Sequence, residues 1–385
     1  MKQFYTIFLS MILVLIAFIP ANTKAEESES KEDSVVNAYL PFARYASDIG
    51  VMAGGIWNRY HYLEGVSPFN NFTDVRLQAS TKGRMNVTFY HERLNALGTD
   101  FRVRSELVFD RFLYDNFFGI GNNTPLDEEL WDDRWYNYES LEGNALLKAR
   151  YPLRDDNKDQ HFDLLLLGGY NFYRARELDD YEGLIFQDYP EVNDHNHVSF
   201  AGTGILWDSR NNEFDPGSGT YFEADIRFSP GLIAGHDPFY SIRADMRAFY
   251  SIERLDDLVL AGRLGGELAG GDAPFMMLPV LGGEDNLRGY YLNRFRDDAI
   301  LHNTLALRKW LVSFNLLSLR VGLQAFNETG KVFGKDDEEA FFDNLHTGTG
   351  GSLLLSAFTE DFIVRIDYAL SDETGRLYTN IGYVF

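Results

Sequence analysis

The sequence has no cysteine. Structural disulfides, thiolate metal sites and a lipid anchor on a processed cysteine are therefore excluded. Beyond the first 25 residues there is no run of 18 or more apolar residues, which excludes membrane-spanning helices. Helical periodicity is missing over any useful length, and so is a linker rich in Pro, Gly or Ser that would mark a second domain. Positive charge is scarce. Lys and Arg total 35 against 58 Asp and Glu, a net charge of −23, and such a surface repels a nucleic-acid backbone. No nucleic-acid partner is expected.

The N-terminus has the layout of a cleavable export signal. Lys2 precedes an apolar run, Ile7 to Ile19, broken only by Ser10 and ended by Pro20; Thr23-Lys24-Ala25 supplies small residues at the cleavage site. The competing reading is an anchoring helix, but the run covers 13 residues, and a spanning helix needs roughly 20. Residues 1–25 are thus read as a signal peptide cleaved near Ala25, 26–40 as a short acidic disordered tail and 41–385 as the folded domain.

From about Ile49 onward one pattern repeats: segments that alternate apolar and polar residues, separated by turn residues. Thr220, Phe222, Ala224, Ile226 and Phe228 form one face of such a segment; Tyr221, Glu223, Asp225, Arg227 and Ser229 form the other. Tyr240 to Tyr250 and Phe362 to Leu370 repeat it, the latter setting Arg365 and Asp367 against an apolar face. Alternation with period two means strands. In a soluble sandwich the apolar faces would meet a second sheet. These segments are longer than the 5–6 residues typical of soluble strands, and their polar faces mix Arg with Asp or Glu, as a wet, charge-paired lumen does. Together with an export signal and an aromatic content of 15%, which barrels spend on interfacial girdles, this predicts an all-β fold: a transmembrane antiparallel β-barrel of the bacterial outer membrane. Fifteen strand-like segments can be counted, from about 49–61 to 376–385. Bacterial single-chain barrels have even numbers, so sixteen are expected, the missing one before residue 150.

Acid gathers at Asp127 to Asp133, Asp179 to Asp194 and Asp336 to Asp343. Solvated loops are the plain reading; bridging of divalent cations or lipopolysaccharide is the sharper one. Asp194-His195-Asn196-His197, near Asp188, admits a catalytic or metal role, although a His pair in a polar loop is more often merely solvated. Pro216-Gly217-Ser218-Gly219 is the nearest approach to a nucleophile elbow, with Pro in place of its first Gly. No enzyme activity, metal or cofactor is expected.

The sharpest motif is Gly282-Gly283-Glu284-Asp285-Asn286-Leu287-Arg288-Gly289-Tyr290. Glycines on both sides of an arginine let a loop push the guanidinium into a confined space, where it needs an anion. Alternation from Leu319 to Glu328 sends Leu319, Val321, Leu323 and Ala325 to lipid and Arg320, Gly322, Gln324, Phe326 and Glu328 to the lumen, so Glu328 is a candidate partner.

Here the sequence resembles the BamA/TamA family, the bacterial surface antigen superfamily. The resemblance implies a sixteen-stranded barrel whose sixth extracellular loop folds into the lumen through an Arg-Gly-aromatic tip. Phe326-Asn327-Glu328-Thr329-Gly330 is similar to the family's second signature, with Glu for the usual Asp. By resemblance Arg288 and Glu328 lock the loop, with Gly282, Gly283, Gly289 and Tyr290 shaping it. Asp208-Ser209-Arg210 and Asp215 to Gly219 match a periplasmic turn, and Phe117 to Asn122 looks like a stretch of short members. Ile381, Tyr383 and Phe385 share one face, like the C-terminal β-signal read by the barrel assembly machinery, which is thereby an implied partner beside outer-membrane phospholipid and lipopolysaccharide. The likeness covers most of residues 40–385 and is strongest from about 200. It departs at Ala306, where relatives carry a Glu two residues before the arginine that is Arg308 here. Residues 26–40 leave no room for a periplasmic POTRA domain, so a short member is expected. Two functions remain open: assistance in outer-membrane biogenesis through a lateral seam, or a passive channel or surface structural protein. The client is not readable.

Overall fold

The alternation becomes sixteen long antiparallel strands that close on themselves. The computed structural model describes residues 33–381 apart from 155–160, 179–181, 194–195, 232–235, 256–257, 315–317, 336, 338–341 and 358–362. The strands are β1 (Ser34–Ala46), β2 (Gly50–Leu63), β3 (Val66–Ser80), β4 (Arg84–Arg93), β5 (Arg102–Asn116), β6 (Asn137–Arg154), β7 (His161–Arg176), β8 (Asn196–Asp208), β9 (Gly219–Ser229), β10 (Phe239–Ile252) and β11 (Leu258–Gly271). A two-residue pair, β12 (Val280–Leu281) and β13 (Phe295–Arg296), closes a hairpin within the next loop. Then come β14 (Ala299–Phe314), β15 (Leu319–Phe333), β16 (His346–Ser356), β17 (Ile363–Leu370) and β18 (Gly375–Ile381). Each barrel strand pairs with its neighbour in sequence, β11 pairs with β14, and β1 meets β18.

The first strand corrects the reading of 26–40 as a tail: Ser34 to Leu40 already lie in β1 and pair along β2. This is the sixteenth strand, before residue 150 as expected. Its pattern is faint because it carries no charge before Arg44 and is interrupted by Pro41. Proline is tolerated here because β1 stands at the seam, where a missing N–H breaks no full ladder.

Closure follows from the solvent. Leu77, Met85, Val87, Leu107, Phe109, Leu147, Phe228, Leu305 and Leu323 all point outward and are exposed. A ring of apolar side chains on this scale suits hydrocarbon, where every backbone group must find its partner within the sheet. The opposite faces hold charge in pairs: Arg227 with Asp225 at 2.6 Å, Arg150 with Asp163 at 2.6 Å, Lys148 with Glu223 at 2.6 Å, and Arg247 and Arg263 with Asp245 at 2.9 and 2.8 Å.

One end of the barrel carries the long connections 117–136, 177–195, 272–298 and 334–345; the longest at the other end is the turn 209–218. Outer-membrane barrels keep short turns on the periplasmic side, which orients the molecule and makes 272–298 the sixth extracellular loop. Above the lumen Phe117 and Phe275 pack with ring centroids 5.2 Å apart, joined by the buried Ile185 and Phe186 of the short helix Leu184–Asp188. The loops rich in acid therefore also build an apolar lid.

Candidate functional site: the inward loop and the barrel seam

The sixth loop turns inward at two glycines. Gly282 and Gly283 sit at φ +122° and +92°, backbone that favours glycine, and a Cβ on Gly283 would come within 2.9 Å of the Leu292 side chain. Asn286 fastens the neck: its Oδ1 accepts from the Gly282 N–H at 2.9 Å and its Nδ2 donates to the Val280 carbonyl at 3.0 Å. Leu281, Leu287, Tyr290 and Phe295 then pack on Ile300 and Val332 of the barrel wall.

This delivers Arg288 to β15, β16 and β17 with its side chain fully buried. Nε and Nη2 donate to Glu328 Oε1 at 2.9 and 2.6 Å, and the Arg288 backbone N–H donates to Oε2 at 2.6 Å. Nη1 donates to Asp367 Oδ2 at 3.0 Å. Asp367 also accepts from Arg365 at 2.7 Å, so two cations face two carboxylates. The guanidinium lies 3.4 Å from the centroid of the Phe326 ring. Each contact is charge-assisted and dry, and removing one member of such a set costs about 3–5 kcal/mol. Gly289, at φ +101°, and Gly348 permit the approach; a Cβ on Gly348 would overlap the Arg288 carbonyl. Tyr290 donates to Asp372 at 2.6 Å, and burial, then that bond, hold its hydroxyl above the usual range, so it remains a donor. The residues singled out in the loop and on β15 are thus brought together. Of the C-terminal three, Ile381 is exposed at the end of β18, while Tyr383 and Phe385 lie outside the described residues.

The contacts of four residues were not legible in advance. Asp367 and Arg365 stand on a strand whose polar face was evident, but which loop residue meets it depends on barrel closure. Glu284, within the loop motif, reaches the seam: it accepts from Arg44 of β1 at 2.9 Å and from Asn380 of β18 at 3.3 Å. Asp215, in the periplasmic turn, reaches past β10 and β11 to Trp310 Nε1 and Arg320 Nη2, each at 3.0 Å, and to Arg308 at 3.3 Å, while the Pro216 carbonyl also accepts from Arg308. That turn thus gives Arg308 the carboxylate that position 306, an alanine packed against Phe326, does not.

The seam itself is thin. Among the described residues β1 and β18 share one register pair, Ala46 with Tyr378, whereas β1 pairs with β2 along all 13 of its residues. Side chains supplement it: Thr379 Oγ1 bonds the Tyr45 N–H at 2.5 Å, and Ser47 Oγ accepts from the Leu377 N–H at 2.9 Å. The stretch Phe117 to Asn122 docks on the inward loop and on β15, through Gly121 N–H to the Arg296 carbonyl at 2.9 Å and Val332 N–H to Asn122 at 3.1 Å. His197 lies outward on β8 beside Tyr170 and Phe172 rather than in an acidic loop, and His195 and Asp194 lie outside the described residues. No group of three His, Asp or Glu among the described residues is arranged for a metal.

Residues 70–385 match the Omp85 superfamily domain. Solved structures share the fold. BamA from Haemophilus ducreyi lacking POTRA domains 1–3 aligns with a TM-score of 0.60 at 12% identity, over 91% of this chain and 70% of that one. CdiB from Escherichia coli aligns at 0.63 and 11%, over 94% and 66%; CdiB from Acinetobacter baumannii aligns at 0.54 and 12%, over 94% and 64%. The chain thus spans about two thirds of the length of these structures. No curated protein matches its sequence.

Proposed function

The chain belongs to the Omp85 superfamily of outer-membrane β-barrels, and from that premise we propose that it assists outer-membrane biogenesis by letting protein or lipid pass between lumen and bilayer at the β1–β18 seam. The observation that carries this is the seam: among the described residues one register pair, a backbone bond from the Ser47 N–H to the Leu377 carbonyl, side-chain reinforcement, and Glu284 spanning it from inside. A joint of that kind opens at far lower cost than a full ladder of backbone hydrogen bonds. Arg288 keeps the loop seated on β15 and β17 while Glu284 touches both seam strands, so loop and seam move as one device. Export by residues 1–25, with cleavage near Ala25, and insertion by the barrel assembly machinery through Ile381, Tyr383 and Phe385 belong to the same reading. The client is a protein or lipid that enters from the periplasm.

The test uses the chain's lack of cysteine. Tyr45→Cys with Thr379→Cys places one engineered disulfide across the seam. In a deletion strain whose outer-membrane protein and lipid profile is altered, the oxidised double variant should fail to restore the profile and the reduced one should succeed. Full restoration with the seam cross-linked would reject the lateral route. A second reading, a passive channel, is favoured by the charged luminal cavity of about 740 Å³ beneath the inward loop, lined by Glu223, Asp225, Arg227 and Asp245. Steady conductance of the wild-type protein in planar bilayers is its signature.

A further inference from the structure

Most arginines of the barrel are luminal and neutralised, but Arg59 and Arg93 are neither. Arg59 on β2 shares its face with Val51, and Arg93 on β4 shares its face with Met85, Val87 and Phe89; these apolar residues are outward and exposed. Both guanidiniums are exposed, and among the described residues neither has an ion pair or hydrogen bond. Register aligns them across β3, since Arg59 faces Thr73, Thr73 faces His91, and Asn71 faces both His61 and Arg93. The two cations thus flank a polar floor, in a recess of about 400 Å³ on the outside of the barrel wall.

Its height is fixed by the chain. Arg59 and Arg93 stand in the periplasmic parts of their strands, at the border of the apolar band. Trp57 precedes Arg59 by one outward position, and the rings of Phe101 and Tyr151, 5.1 Å apart, and of Phe162 and Trp207 lie near the same end of neighbouring strands. Such rings mark the boundary between hydrocarbon and headgroups. Two unneutralised arginines beside hydrogen-bonding His, Asn and Thr at that level match a phosphate: guanidinium offers paired donors, and Thr and amide groups complete the shell. One carboxylate, Asp33, touches the cluster, and His61 Nε2 occupies it at 2.8 Å. His61 Nδ1 takes Asn71 at 3.2 Å and His91 Nδ1 takes Thr73 Oγ1 at 2.9 Å, which leaves both guanidiniums for a ligand from the membrane.

We propose that Arg59 and Arg93, with the floor between them, form a binding site for the headgroup of an anionic phospholipid of the periplasmic leaflet. Val35 of the seam strand β1 lines the same recess, so the site extends from β4 to the seam strand. The site stands on the barrel's outward face alone and does not depend on whether the seam passes a client.

The experiment is native mass spectrometry of the detergent-solubilised full chain titrated with phosphatidylglycerol or phosphatidylcholine. Wild type should retain phosphatidylglycerol in preference. The Arg59→Gln/Arg93→Gln double variant should bind it roughly twentyfold more weakly, each arginine contributing about fivefold at a membrane surface. The luminal control Arg243→Gln, which breaks a pair with Glu267, should bind as wild type. Heat-shifted mobility of unboiled samples verifies that each barrel is folded. Equal binding by the folded double variant, an equal loss in the luminal control, or displacement of the lipid by millimolar inorganic phosphate would overturn the proposal, the last by assigning the site to a soluble anion.

Discussion

A guanidinium enclosed by two carboxylates and a ring leaves few tolerable replacements. Arg288→Ala strands Glu328 and Asp367 in a dry site, with only Arg365 to balance them. The loss should amount to about 3–5 kcal/mol, localised to the inward loop because each barrel strand keeps its own ladder. The expected result is a barrel that still shows heat-dependent mobility while protease nicks the 272–298 loop. Arg288→Lys retains the charge but not the fork that holds Glu328 and Asp367 together, so its loop should be nicked at an intermediate rate. Gly348→Ala tests the same seat from the other side: its Cβ would displace the Arg288 carbonyl and should reproduce the nicking with every charge intact. A loop as resistant in all three variants as in wild type would deny Arg288 a holding role.

Strands were legible in this sequence wherever charge alternated with grease. The segments Thr220 to Ser229 and Tyr240 to Tyr250 correspond to β9 and β10 within two residues at each end. β1 was not legible, because its inward face lacks charge until Arg44. Period two also placed Glu328 in the lumen, which is half of the Arg288 contact; the other half needs the loop to fold back, which the glycines around Arg288 allowed and the resemblance made specific. What no local pattern contains is a contact between strands that are not neighbours. The turn 209–218 reads as an ordinary connection, yet it reaches from β8 and β9 past β10 and β11 to Trp310 and Arg308 on β14 and Arg320 on β15. Asp215→Asn keeps the hydrogen-bonding shape and removes the charge that two arginines share. Charged hydrogen bonds of this kind contribute about 1.5–3 kcal/mol, so the turn should loosen while the barrel stays closed. Faster hydrogen exchange confined to 209–218 and the periplasmic ends of β14 and β15 is the expected signature, and unchanged exchange there would remove the turn's role as a tie to those strands.

At the scale of the molecule, the lumen is obstructed at three levels. The aromatic lid packs above, the inward loop stands in the middle and the 209–218 turn folds in below against β14 and β15. A vertical channel would have to clear all three, whereas among the described residues the lateral route separates one register pair, a few further seam hydrogen bonds and the bonds of Glu284. This difference makes the two functional readings separable by conductance. Wild type should be silent in planar bilayers. Arg288→Ala alone should remain nearly silent, because the lid and the lower turn still block the path, and Asp215→Asn alone should do the same. The double variant should conduct more than the sum of the two, since obstacles in series couple even when the residues are far apart and would otherwise act additively. Glu284→Gln belongs to the other axis: it removes the charge that holds Arg44 to the loop, so it should leave conductance unchanged and, by loosening the seam strands, speed disulfide formation between Tyr45→Cys and Thr379→Cys. Conductance that rises with Glu284→Gln and not with the double variant would reverse the assignment, making the seam the pore's wall and the two ties mere scaffolding.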